Sequence, residues 1–90
     1  MGLVSPGGVH AHQRHALALA SILCDAGIEV LVHAFTDGRD TAPRSAADFV
    51  GELASALPQG ARIATVCGRY IAMDRDRRWD RVSRAYNAIV

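Results

Sequence analysis

Hydrophobic positions fall into short runs divided by polar loops, and their spacing switches between strand-like and helix-like along the chain. Met1 to Val4 is a short apolar run followed by a glycine-rich loop. From about Ala11 to Ala26, the residues Leu19, Ile22, Leu23 and Ala26 recur at helical spacing, and Gly27 supplies a stop. Ile28 to Phe35 is the clearest strand, with Val30, Leu31, Val32 and Phe35 nearly continuous, as suits a parallel strand covered on both faces. Phe49, Val50, Leu53 and Leu57 form the next helical stripe, with Ser45 and Asp48 at capping-box spacing and Pro58 and Gly60 as terminators. Arg62 to Cys67 reads as a third strand, and Val82, Ala85, Tyr86 and Ile89 mark a last amphipathic helix.

The order βαβαβα predicts an α/β fold: a three-stranded parallel sheet with right-handed crossovers. Three such strands leave two unprotected edges. The chain also opens within a strand and stops within a helix at Ile89 and Val90, with no cap or polar tail. The expectation is therefore the core of a larger three-layer sheet domain, with residues 1–90 forming part of it.

Composition narrows the function classes. Half of the 90 residues are hydrophobic and 21% are charged, as in ordinary globular domains. A net charge of +1 gives no broad basic field, so nucleic acid is not an expected partner. All ten basic residues are arginine, the better side chain for a two-pronged grip on phosphate or carboxylate. Cys24 and Cys67 stand in apolar stretches and are expected to be reduced packing residues. No apolar run reaches membrane-spanning length and no signal-peptide pattern follows Met1, so a cytoplasmic protein without a membrane partner is expected.

The candidate chemistry lies in three loops, each following a predicted strand: Ser5-Pro6-Gly7-Gly8-Val9-His10, Asp37-Gly38-Arg39-Asp40, and Gly68-Arg69-Tyr70 running on to Met73-Asp74-Arg75-Asp76. In an open parallel sheet such loops emerge at one edge. That edge would gather His10, Arg39, Asp40, Arg69 and Arg75 around a crevice suited to a small anion carrying hydroxyls. Arginines clamp phosphate or carboxylate through paired hydrogen bonds, and an aspartate accepts from hydroxyls. Each loop also has a plainer reading: a glycine turn, an Asp37-Gly38 bend, and a solvated charged face that takes in Arg77, Arg78 and Arg81, with Trp79 as a packing residue.

A metal reading rests on His10, His12 and His15, with His33 as a possible fourth ligand. No cysteine or carboxylate cluster accompanies them and Arg14 stands in their midst, so no metal site is expected in these residues. No catalytic residue is visible either. Ser5 lacks a base and acid pair, and Pro6 follows it where a nucleophile elbow needs another sequence.

Taken together, Gly2-Leu3-Val4-Ser5 with Gly7-Gly8-Val9-His10, His33-Ala34-Phe35 with Asp37-Gly38-Arg39-Asp40-Thr41, and Gly68-Arg69-Tyr70 with Ala72-Met73-Asp74-Arg75-Asp76 and Arg78-Trp79 resemble the cofactor-independent phosphoglycerate mutases, across essentially the entire chain. The resemblance implies an enzyme family that interconverts 2-phosphoglycerate and 3-phosphoglycerate in glycolysis. It implies two divalent metals, typically manganese, and a phosphorylated serine in a separate domain that is absent from these residues. This chain resembles part of the inserted, substrate-binding domain. The family's substrate contacts carry over onto His10, Arg39, Asp40, Arg69 and Arg75, with Asp40 orienting a glycerate hydroxyl. Arg14, Pro6 and Ile71 depart from the family pattern, and Arg14 alters the charge of the first loop.

Three functions stay open at this stage. The chain is a fragment of that mutase, inactive alone because it would need the missing metal and phosphoserine domain. Alternatively it is a free-standing binding module for phosphorylated small acids, or a structural metal-binding domain built on the three histidines.

Overall fold

The structure is a computed structural model that describes all 90 residues. Three parallel strands, β1 (Gly2–Val4), β2 (Val30–Thr36) and β3 (Ala61–Gly68), form one sheet in the order β1-β2-β3. Helix α1 (Gln13–Asp25) links β1 to β2, and α2 (Ala46–Ala56) links β2 to β3. A single helical turn, α3 (Arg69–Ala72), follows β3 directly, and α4 (Trp79–Ile89) closes the described chain. The all-parallel α/β fold is the one the hydrophobic pattern predicts. The third polar loop is partly helical, with α3 formed by Arg69–Ala72.

Because the strands run 1-2-3, both crossovers advance in the same direction, and a constant hand places their helices on one face. The core agrees: Val4, Ala34 and Leu53 are buried together, with Leu17 of α1, Phe49 and Val50 of α2, and Val32 and Ile63 of the sheet packed against them. Alternate residues of β2, Val32 and Ala34, thus face the helices, and Leu31, His33 and Phe35 point to the other face by the period-two rule. The pairing slips between Val32 and His33, which lie opposite Ile63 and Thr65, so Ala64 is the extra residue of a bulge. Beyond it the His33 ring bonds the Thr65 hydroxyl at 2.9 Å across the strands.

Helix α1 ends as the glycine signal predicts. Gly27 adopts φ 79°, the Gly27 N–H donates to the Cys24 carbonyl, and the Ile28 N–H donates to the Leu23 carbonyl. These two bonds define a Schellman stop. Its apolar stripe departs from expectation. Leu17 and Ala20 face the core, whereas Leu19 and Ile22 are exposed because a thin two-element stack covers only one side of the helix.

At α2 the capping box does not form. Ser45 sits in the right-handed helical region, and its hydroxyl donates to the Ala42 carbonyl at 2.6 Å instead of capping the helix. The preceding Arg44, with φ 67°, turns the chain just before it. Cys24 and Cys67 are free and half-buried rather than fully buried, and Trp79 is 70% exposed where packing was expected. No helix is long and apolar enough to cross a membrane.

Candidate functional site

The ends of all three strands feed one cleft of about 520 Å³. His10 comes from the β1 loop and Asp37, Gly38 and Arg39 from the β2 loop. Arg69, Tyr70, Asp74, Arg75, Asp76 and Arg81 come from the segment after β3. Four of the five expected contacts, His10, Arg39, Arg69 and Arg75, line this cleft. The fifth, Asp40, lies beside the lining residues, its side chain 15% exposed and bonded to Arg69.

The glycine pair of the first loop works as packing. A Cβ on Gly7 would lie 3.0 Å from Asp40 Cβ and 3.3 Å from both Asp37 Oδ2 and Ser5 Oγ. Only a residue without a side chain lets the first loop rest on the second, so here the close approach is between two loops. Gly8 supplies the positive φ, 72°, that swings the chain towards His10.

The second loop is organised by Asp37. Its Oδ1 accepts the backbone N–H groups of Arg39 and Asp40, which fixes the turn, and the Arg69 Nη1 donates to the same oxygen at 2.8 Å. Its Oδ2 accepts the Ser5 hydroxyl at 2.6 Å. Burial acts to raise the Asp37 carboxyl, but the bonds from Ser5, Asp40, Arg69 and Arg39 outweigh it and hold the group far below the usual carboxylate range.

Arg69 Nη1 donates at 2.8 Å to Asp40 as well as to Asp37. Asp40 first, and then Asp37, raise the Arg69 guanidinium above its ordinary value, so its charge is fixed. His10 Nε2 lies 3.9 Å from Asp40 Oδ2, with the imidazole half-exposed at the rim.

On the far side, Asp74 repeats the device. Its carboxylate accepts the N–H groups of Asp76 and Arg78 and the Arg81 guanidinium at 2.9 Å. Burial opposes ionisation, yet those three donors hold Asp74 below the ordinary range. The Arg81 guanidinium stacks 3.9 Å from the Tyr70 ring centroid and also donates to its hydroxyl. Arg81 is therefore a wall residue and not part of a solvated face, unlike the exposed Arg77 and Arg78. Arg39 and Arg75 make no ion pair with any carboxylate. Four arginines against three aspartates leave the lining one unit positive before His10 is counted.

His10, His12 and His15 share the lining of a second cavity of about 260 Å³, distinct from the arginine cleft, which of the three only His10 also lines. His12 caps α1, its Nδ1 accepting the Arg14 N–H, and His15 lies one turn on with its ring centroid 5.8 Å away. His33 is committed to Thr65 in the sheet. No three His, Cys, Asp or Glu side chains come together as metal donors. Between Asp37 and Asp40 the cationic position is held by Arg69 itself.

Sequence reasoning missed Ser5, Asp37, Asp74 and Arg81 as parts of the site. For Asp37 the signal was half visible: an aspartate before glycine makes a bend, and it does. Its further partners lie 32 residues away on either side, beyond any local pattern.

Strand-end loops that gather arginines and aspartates at one edge of a parallel sheet define an α/β protein segment with a charged cleft at its strand ends. Comparison makes this specific. The profile of the family described as "BPG-independent PGAM N-terminus" matches residues 1–90. The chain is 62% identical over 89 residues to the 2,3-bisphosphoglycerate-independent phosphoglycerate mutase of Gluconobacter oxydans, and 63% identical over 89 residues to that of Rhodopseudomonas palustris. The mutase of Roseobacter denitrificans is 62% identical over 90 residues. These alignments cover 99–100% of the chain but only 18% of each relative. The chain belongs to the BPG-independent phosphoglycerate mutase family, and it spans about a fifth of the length of its curated relatives.

Proposed function

We propose that residues 1–90 are part of the substrate-binding domain of a 2,3-bisphosphoglycerate-independent phosphoglycerate mutase, and that the cleft holds 2- or 3-phosphoglycerate during glycolysis in the cytoplasm. The observation that carries this reading is the convergence of His10, Arg39, Arg69 and Arg75 on one cleft in a chain so similar to named mutases. Arg39 and Arg75, free of carboxylate partners, give the strongest attraction for phosphate and carboxylate groups. Arg69 offers its remaining guanidinium edge, and His10 adds a donor at the rim. Asp40 uses Oδ2 on Arg69, and its other oxygen serves a glycerate hydroxyl. The chain's own residues thus bind and orient.

The phosphoryl step belongs, in this reading, to a metal- and phosphoserine-bearing domain in polypeptide beyond these residues, so the isolated chain is inactive. The test is a chimera in which this chain replaces its matching segment in the Gluconobacter oxydans mutase. Mutase turnover in the chimera, abolished by R39A or R75A and absent from the 90-residue chain alone, is the expected result. A folded chimera whose turnover ignores both substitutions removes the assignment. Saturable 3-phosphoglycerate binding by a chain whose chimera is inactive would favour a free-standing binding module.

A further inference from the structure

Asp37 is nearly sealed, with 2% of its side chain exposed, yet three separate segments of sequence meet on it. Ser5 after β1 reaches Oδ2, while the Arg39 and Asp40 backbone after β2 and the Arg69 guanidinium after β3 share Oδ1. Both carboxylate oxygens are therefore engaged within the protein, Oδ1 by three donors and Oδ2 by one. Its grip on Arg69 is one-ended. Asp37 and Asp40 both hold Nη1, and neither Nη2 nor Nε bonds within the protein. A planar guanidinium fixed at one nitrogen presents its remaining donors in a set plane.

We propose that Asp37 is a positioning residue of the cleft: it aims Arg69 and the Arg39–Asp40 turn at a bound phospho-acid without touching that ligand. The role needs charge as well as shape. Arg69 is 14% exposed, and a charge-assisted bond holds a guanidinium more firmly than a neutral amide can. Without the Asp37 charge, Asp40 becomes the only carboxylate on Arg69 and is drawn away from the ligand hydroxyl. Ser5 acts on the other oxygen, so its loss leaves the aim of Arg69 intact.

This rests on the cleft's being the phosphoglycerate site, and two readouts separate the claims. The first needs no ligand: nitrogen-labelled guanidinium spectra of the 90-residue chain. Arg69 should exchange slowly with water in the parent chain and in S5A, and quickly in the isosteric D37N. The second is the KM for 3-phosphoglycerate in the chimera described above. It should rise roughly tenfold in D37N, with a smaller fall in kcat, and by less than about threefold in S5A, which leaves the Asp37 charge and its Oδ1 bond to Arg69 in place. An Arg69 spectrum unchanged by D37N, or equal KM effects of D37N and S5A, overturns the proposal. An inactive chimera counts against the function of the cleft, while the spectra still decide the positioning. Should D37N not fold, the parent chain decides alone: slow exchange at Arg69 supports the placement and fast exchange overturns it.

Discussion

At the residue scale the site is built by carboxylates that face inward and arginines that do not all share one role. Asp37 and Asp74 each gather two backbone N–H groups and one guanidinium, and so stiffen loops that would otherwise be free. Gly7 shows how tight the fit is. G7A brings a Cβ to 3.0 Å from Asp40 Cβ, so the second loop must give by a few tenths of an ångström. The expected cost is about 1–3 kcal/mol of stability, typical of overpacking, measured by urea unfolding. Phosphate binding should weaken with it, whereas G2A, which meets nothing within 4 Å, should leave both unchanged.

Asp37 also sets a pH dependence with a definite sign. Its folded pKa lies below the unfolded value of about 3.9, so its contribution is full above that value and is lost as pH falls through the folded one. Unfolding free energy should stay level near neutrality as far as this group is concerned, then drop on acidification below about pH 4. In D37N that acid-side drop should be smaller. Equal pH slopes for the two proteins below pH 4 would mean that Asp37 is not held as described.

At the scale of elements, the helix between β2 and β3 supplies the largest fully buried side chain of the core. Leu53 is fully buried and packs where α2 meets Val4 and Ala34, so L53A should cost about 2–5 kcal/mol. Ser45 should matter much less than a usual cap, because its hydroxyl does not bond the helix N–H groups. S45A is expected to stay within roughly 1 kcal/mol, judged by the same unfolding curves. The two outcomes bear on what sequence can disclose. Strand and helix order, the Gly27 stop and the Phe49–Leu57 stripe were legible because each depends on local spacing or local torsion. The capping box was not, since Arg44 at positive φ changes the entry angle and leaves Ser45 helical. The outward turn of Leu19 and Ile22 was equally hidden, for periodicity marks an apolar stripe without saying which neighbours cover it. The site divides the same way. His10, Arg39, Arg69 and Arg75 were placed by topology, whereas the pairing of Asp37 with Ser5 and Arg69 is a long-range fact.

For the whole molecule, the relation between core and surface governs behaviour. Eight of 90 residues are buried, and Leu19, Ile22, Leu31 and Val66 are each at least 45% exposed. The extents of 39 × 29 × 19 Å describe a flat body in which a single sheet face carries most of the packing. The chain thus displays an open apolar face over α1 and the sheet. Hydrophobic surface and open strand edges of this kind favour association at roughly micromolar to millimolar concentration. The isolated chain should therefore bind a hydrophobic dye, and its sedimentation should shift to larger species as concentration rises. L19E with I22E, both on the outer side of α1, should suppress much of that shift without lowering the thermal midpoint, because neither side chain supports the core. The cleft lies at the strand ends, away from this face, so inorganic phosphate affinity should be the same in the double variant. A sharp monomer with no dye binding at high concentration would sink this account of the surface. A fall in midpoint on L19E and I22E would instead show that the stripe is packed in solution.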